Sequence, residues 1–284
     1  MWPILFRLPE ALPVIGGAPI RSFGVFIVLS FFSAGYVAAA EMKRKGLDPN
    51  RMSDLVFWAF IGGIVGARLY SVATNLEGIA ADPLGTLVSG SGFTWYGGLI
   101  LATVFVWIYM RRTQLPVGKT FDCIGLGMPI GVAVGRIGCF LAGDDYGKPT
   151  DSAFGVAFPQ GAPPTTPEVL RTRFGVEVSP EMIERYGNAI PVHPTQLYEV
   201  GLSVVVFWIM LRLRKQHHAP GWLFAAWLGI YGLTRFSLEI FRAKGDRFLF
   251  DTITQAQVIS AALIVASLIL TRRWASPPAS ESRA

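Results

Sequence analysis

Seven apolar runs separated by polar junctions organise this chain. They cover residues 22–40, 54–74, 94–110, 121–142, 196–211, 222–242 and 255–270. Each is about the length a helix needs to cross a hydrocarbon layer roughly 30 Å thick. Small residues recur in them at helical spacing: Gly62, Gly63 and Gly66 in the second run, Gly127, Gly131 and Gly135 in the fourth. Such residues let helix backbones approach closely where lipid gives no hydrophobic drive between helices. The pattern predicts an all-α integral membrane protein with about seven transmembrane helices. Residues 1–20 hold Pro3, Pro9, Pro13, Gly16, Gly17 and Pro19 and read as irregular or interfacial structure. Residues 143–195 form the longest polar excursion. Residues 1–275 read as a single transmembrane domain, with 276–284 as a disordered tail. The start, Met1-Trp2-Pro3, has no basic n-region and the first apolar run is long enough to span, so no cleavable signal peptide is expected.

Charge then orients the pattern. The 284 residues are 52% hydrophobic and 15% charged, below the roughly 25% charge of soluble domains. The net charge of +6 is not spread over one soluble face, as a nucleic-acid binder would have it. The basic residues sit in short clusters at 43–45, 111–112, 212–215 and 272–273, all on one side of a seven-span arrangement. The positive-inside rule places that side in the cytoplasm, with the N-terminus outside and the C-terminus inside. Residues 75–93, 143–195 and 243–254 then face outward. Cys123 and Cys139 are sixteen positions apart on one expected helix, about 24 Å, too far for a disulfide.

Ionisable residues inside spans cost ~2.5–3.5 kcal/mol each on insertion scales and turn toward the bundle interior. The outer halves of these spans carry Arg68, Arg136, Glu199, Arg235, Glu239 and Arg242, while the inner halves carry almost none beyond Asp54 and Asp122. The spacing i, i+4, i+7 puts Arg235, Glu239 and Arg242 on one helix face. Arginines gathered at one depth can hold a phosphate through bidentate hydrogen bonds, whereas singly Arg235–Glu239 is an ordinary intrahelical pair and Arg68 and Arg242 can snorkel. Candidate proton-transfer groups lie nearby in sequence. Tyr96 precedes Gly97-Gly98, Asp144 and Asp145 follow the fourth run, and His193 opens the fifth, where it or Thr195 can also cap the helix. Asp144 and Asp145 equally suit a solvated loop. A thiol near hydrocarbon, as at Cys139, is a poor nucleophile. No metal-ligand spacing, phosphate-binding glycine loop or nucleophile elbow occurs, and no cofactor is expected.

Together these stretches resemble one family, the prolipoprotein diacylglyceryl transferases. Gly135-Arg-Ile-Gly-Cys-Phe-Leu-Ala-Gly-Asp-Asp-Tyr-Gly147 is similar to its signature Gly-Arg-x-Gly-Asn-Phe-x-Asn-x-Glu-x-x-Gly. His193-Pro-Thr-Gln-Leu-Tyr-Glu199 resembles its His-Pro-Ser-Gln-Leu-Tyr-Glu, and Tyr231-Gly-Leu-Thr-Arg-Phe-Ser-Leu-Glu-Ile-Phe-Arg242 its Tyr-Gly-x-x-Arg-x-x-x-Glu-x-x-Arg. Gly66-Ala-Arg68 and Tyr96-Gly-Gly follow in order. The chain departs from the pattern at Cys139 and Ala142 (asparagines), Asp144 (glutamate), Tyr96 (histidine) and Phe23 (tyrosine). The resemblance implies a multi-pass enzyme of the bacterial inner membrane. It would transfer diacylglyceryl from phosphatidylglycerol to the lipobox cysteine of a prolipoprotein signal peptide, forming a thioether and releasing glycerol phosphate. Arg136 matches the family's phosphatidylglycerol-binding arginine and Arg235 its essential later arginine. Arg68, Glu239 and Arg242 join the lipid site, and Tyr96, Asp144 and His193 remain the candidates for moving the thiol proton. The partners are then the bilayer, phosphatidylglycerol and the signal peptide, not nucleic acid. The alternative is a relative that binds anionic lipid or lipoprotein without transfer.

Overall fold

A computed structural model describes residues 2–10, 16–74, 95–243, 247–249 and 253–273. The apolar runs form long helices: α1 (Ser22–Arg44), α2 (Asn50–Thr74), α3 (Trp95–Arg112), α4 (Val117–Ala142), α7 (Thr195–Leu213), α8 (Trp222–Leu238) and α9 (Gln255–Arg273). Between α4 and α7 lie two short helices, α5 (Pro167–Phe174) and α6 (Pro180–Tyr186). Among the described residues five helices, α1, α2, α4, α7 and α9, are long and apolar enough to cross a membrane. α8 has 17 residues, and α3 ends in Arg111 and Arg112.

Three expectations need correction. Residues 1–20 are not wholly irregular: β1 (Ile4–Arg7) and β2 (Pro19–Arg21) pair as an antiparallel ribbon leading into α1. A second ribbon, β3 (Arg247–Leu249) with β4 (Ile253–Thr254), precedes α9. The sixth run does not stay helical to Arg242. α8 stops at Leu238, a 3₁₀ turn covers Glu239–Phe241, and Arg242 is extended. The basic helix ends, expected to face inward, are not nearly free of acid either. Glu41 is fully buried in the last turn of α1, where Arg44 binds both its oxygens (2.8 and 2.6 Å) and Arg214 at the end of α7 adds a third contact of 2.9 Å. The expected outer segment 75–93 and tail 276–284 lie outside the described residues.

That cluster fixes how the helices run. Lys45, just after α1, pairs with Asp122 in the first turns of α4 at 3.0 Å. Asp122 also accepts the backbone N–H groups of Leu223 and Phe224, so it caps the start of α8 from another helix. Tyr109 of α3 accepts from Arg51 and donates to Asp54, both of α2. The ends of α1, α3 and α7 and the starts of α2, α4 and α8 therefore share one pole. The basic last turns of α1, α3 and α7 gather there. The opposite pole holds the end of α4, the start of α7 and the end of α8.

Packing follows the glycines. A Cβ on Gly66 would collide with the backbone of Gly97, so α2 and α3 touch main chain to main chain. α4 meets α1 as closely, with Gly127 against the Ala34 backbone and Gly138 against the Phe26 side chain. α9 rests on α8 through Ser260 and Ser267 beside Gly232 and Gly229. Between α4 and α7 the excursion folds around an apolar core of its own, Tyr146, Phe158, Leu170, Met182, Ile190 and Val192. α5 and α6 are capped there by the side chains of Thr166 and Ser179.

Candidate active site

The pole away from the basic helix ends is built from four stretches of chain. α4 carries Arg136 near its end and terminates at Gly143, whose left-handed conformation (φ 67°) lets the N–H groups of Gly143 and Asp144 close on Phe140 and Cys139. Asp145 is also left-handed (φ 58°), a region that Asp enters more readily than most residues. The start of α7 ties this turn down. Thr195 Oγ1 donates to the Asp145 carbonyl at 2.9 Å, and Gln196 Nε2 donates to the Asp144 carbonyl. Glu199 follows one turn later. α8 supplies Arg235, the 3₁₀ turn Glu239, and the strand-like segment after it Arg242. Arg242 forms a β-bridge with Gly147, where a Cβ would collide with Phe241 and His193.

These residues form a closed ring. Glu199 Oε2 lies 2.9 Å from Arg136 Nε as an ion pair and accepts a hydrogen bond from Arg235 Nη1 at 3.3 Å. Arg235 Nη2 lies 3.6 Å from Glu239 Oε2, which lies 3.8 Å from Arg242 Nε. Arg242 Nη2 pairs with Asp145 Oδ1, and Asp145 Oδ2 returns to Arg136 Nη1 at 2.8 Å. Three arginines thus alternate with three carboxylates, and the ionised ring is neutral. Five members are nearly or largely buried, with side-chain exposures from 1% for Glu239 to 17% for Arg136, while Asp145 is 37% exposed. Burial opposes the Asp145 charge, but Arg242 and Arg136 outweigh it and hold the carboxyl well below its usual range.

Around the ring are buried acceptors with no hydrogen-bond partner: Asp144 Oδ1, Gln196 Oε1, Glu199 Oε1 and both Glu239 oxygens. Buried acceptors left this way are costly, which marks a place where donor groups of another molecule are favoured. Asp144 faces Cys139 rather than the ring arginines. Burial, and then the neighbouring Asp145 charge, push its carboxyl up to about 6.

Of the residues expected from sequence, Arg136, Arg235, Glu239 and Arg242 come together, joined by Glu199. Arg68, half-buried in α2, stands outside the ring. Tyr96 opens α3, but its side chain lies outside what is described. His193 sits in the wall: Nδ1 is 3.2 Å from Tyr198 Oη, and the ring meets Phe241 edge-on at 5.3 Å. Burial and then Lys148 hold its pKa below the usual histidine value. Asp145 was not singled out as a ring member by sequence. The one signal for it is its place two residues after Gly143, where a left-handed turn can swing its side chain back over α4.

A family profile described as "Prolipoprotein diacylglyceryl transferase" matches residues 9–273. The chain belongs to the prolipoprotein diacylglyceryl transferase family. Among its relatives is a "Phosphatidylglycerol--prolipoprotein diacylglyceryl transferase" of Stenotrophomonas maltophilia, 30% identical over 90% of this chain and 88% of the relative. Proteins of the same name from Pseudoalteromonas atlantica and Aeromonas salmonicida are each 29% identical, covering 93% and 92% of this chain and 90% and 88% of their own lengths. In this family member the signature arginine Arg136 is a ring residue. The signature's acid position, Asp144, is not, and its neighbour Asp145 makes the arginine contacts instead.

Proposed function

We propose that this chain is a multi-pass enzyme of the bacterial inner membrane. It transfers diacylglyceryl from phosphatidylglycerol to the lipobox cysteine of prolipoproteins, the first step of lipoprotein maturation. All seven long helices span, with the N-terminus outside and the basic pole in the cytoplasm. Residues 1–275 act as one transferase unit. The ring lies at outer-leaflet depth, beneath the excursion 143–195.

The observation that carries this reading is the meeting of Arg136 and Arg235, from separate helices, on one oxygen of Glu199. Each guanidinium has five N–H donors, and the ring ion pairs engage only some of them. The guanidinium donors that face the lipid bind its phosphodiester and stabilise the charge that grows on it as it leaves. Arg242 and Arg68 add positive charge around that site. The unpartnered oxygens of Glu199, Glu239 and Gln196 accept the hydroxyls of the glycerol head group.

The bond made is between the incoming cysteine sulfur and the glyceryl carbon that bears the phosphate. The bond broken is that carbon's C–O bond, and glycerol phosphate departs with the electron pair. The thiol must first lose its proton. Asp144 takes it: its Oδ1 is buried and unpartnered, and a carboxyl near 6 is ionised yet basic at neutral pH. Tyr96 serves as a hydrogen-bond donor at the family's histidine position, and His193 shapes the wall beside Glu199 through Tyr198.

The test uses purified protein in vesicles holding radiolabelled phosphatidylglycerol, with a lipobox peptide as acceptor. Wild type should yield labelled thioether peptide, and Arg136→Ala and Arg235→Ala should each lose it. Undiminished transfer by either variant sinks the clamp. No transfer by a wild type that binds the lipid sinks the transferase.

A further inference from the structure

The ring contains its own competitor for the substrate's charge. As a set of three cations and three anions it is neutral, and a buried neutral set gains little by adding one more anion unless a carboxylate leaves. Glu199 and Glu239 cannot leave. Glu199 lies within α7 and Glu239 in the 3₁₀ turn, and their side chains are 5% and 1% exposed. Asp145 differs in every respect. It lies in a loop, it is 37% exposed, and its backbone holds a left-handed conformation that a non-glycine residue adopts at some cost. Its two oxygens span Arg136 on α4 and Arg242 beyond α8. Two carboxylate oxygens bridging two guanidiniums are what a phosphodiester's two free oxygens would do in the same place.

We propose that Asp145 is a displaceable internal counter-ion: its carboxylate occupies the anion position between Arg136 and Arg242 and is driven out into water when the lipid phosphate enters. This rests on the transferase reading of the ring and adds to it a residue that sets the affinity for the anionic substrate. Displacement keeps the ring neutral with phosphate in place. The Thr195 and Gln196 contacts hold the backbone of residues 144 and 145 in place while the side chain swings out. The exposed side of Asp145 gives the freed carboxylate somewhere to go, which no other ring acid has. The neighbouring Asp144 stays in place against Cys139.

The test compares wild type with Asp145→Asn and Asp145→Gly, glycine being suited to the left-handed backbone if asparagine disturbs it. Full-length protein in phosphatidylcholine nanodiscs is titrated with fluorescent phosphatidylglycerol, and free glycerol phosphate is run as a competitor. Removing a carboxylate that must vacate the site should tighten both by about tenfold, since more of the protein is then binding-competent. Unchanged or weaker binding of both ligands by variants with wild-type melting overturns the proposal. So does tightening confined to the lipid, because the effect would then lie with the acyl chains rather than the phosphate. If wild type itself binds no phosphatidylglycerol, the ring's proposed function fails as well. If it binds and the variants bind no more tightly, only the displacement fails.

Discussion

Glu199→Gln is the sharpest probe of the ring, because it removes a charge while keeping the shape. One oxygen of Glu199 serves Arg136 at 2.9 Å and Arg235 at 3.3 Å, and the side chain is 5% exposed. Two guanidiniums touching one oxygen lie within about 7 Å of each other, and at an effective dielectric near 20 their bare repulsion is about 2–3 kcal/mol. The substitution also takes away both attractions, and breaking a buried charge pair from one side costs about 3–5 kcal/mol. If Arg136 and Arg235 must stand in register to hold the departing phosphate, a loss of 3–4 kcal/mol in the transition state is a fall of about 10²–10³ in rate. The assay is transfer from radiolabelled phosphatidylglycerol to a lipobox peptide, with thermal melting measured in the same detergent. Transfer within twofold of wild type and an unchanged melting temperature would show that Glu199 is not the joint between the two arginines.

Three further outcomes are expected. With Asp144 as base, transfer should rise with pH through about 6 as its carboxyl ionises and level off above. Asp144→Asn should abolish that limb and slow the reaction by about 10²–10⁴; a limb that survives the substitution moves the base elsewhere. Asp122→Asn should keep the cap on α8 but lose the charge that faces Lys45, lowering stability by about 1–3 kcal/mol in melting while leaving transfer at permissive temperature within about twofold. A large loss of transfer with unchanged melting would place Asp122 in the chemistry. Single cysteines at the exposed positions Ser152 and Gln216 test orientation. In intact spheroplasts an impermeant maleimide should label the first and spare the second, and the reverse pattern inverts the topology.

What could be read from the chain depended on where a charge is expensive. Arg136, Arg235, Glu239 and Arg242 stand inside or beside apolar runs, where an ionised group needs a buried partner, so their meeting followed from the pattern of hydrophobic and polar positions. Asp145 stands in a polar loop, where an acid costs nothing, and only the left-handed turn after Gly143 turns it back onto Arg136. Glu41 escaped notice for the complementary reason. Beside Lys43, Arg44 and Lys45 it looks like part of a wet helix end, yet Arg44 and Arg214 enclose it, and it is fully buried. The helices themselves were legible because lipid demands long unbroken apolar stretches. The ribbon of β1 and β2 was not, since strands of four and three residues among prolines leave no period to detect. The same distinction separates the two charged poles. At the basic pole Glu41 and Asp122 have bonds to both oxygens and hold helix ends together. At the opposite pole Glu199, Glu239, Asp144 and Gln196 keep buried acceptors without hydrogen-bond partners. Open acid oxygens gather in the arginine ring and not on Glu41 or Asp122, which is why the proposed function assigns the polar head group to the ring.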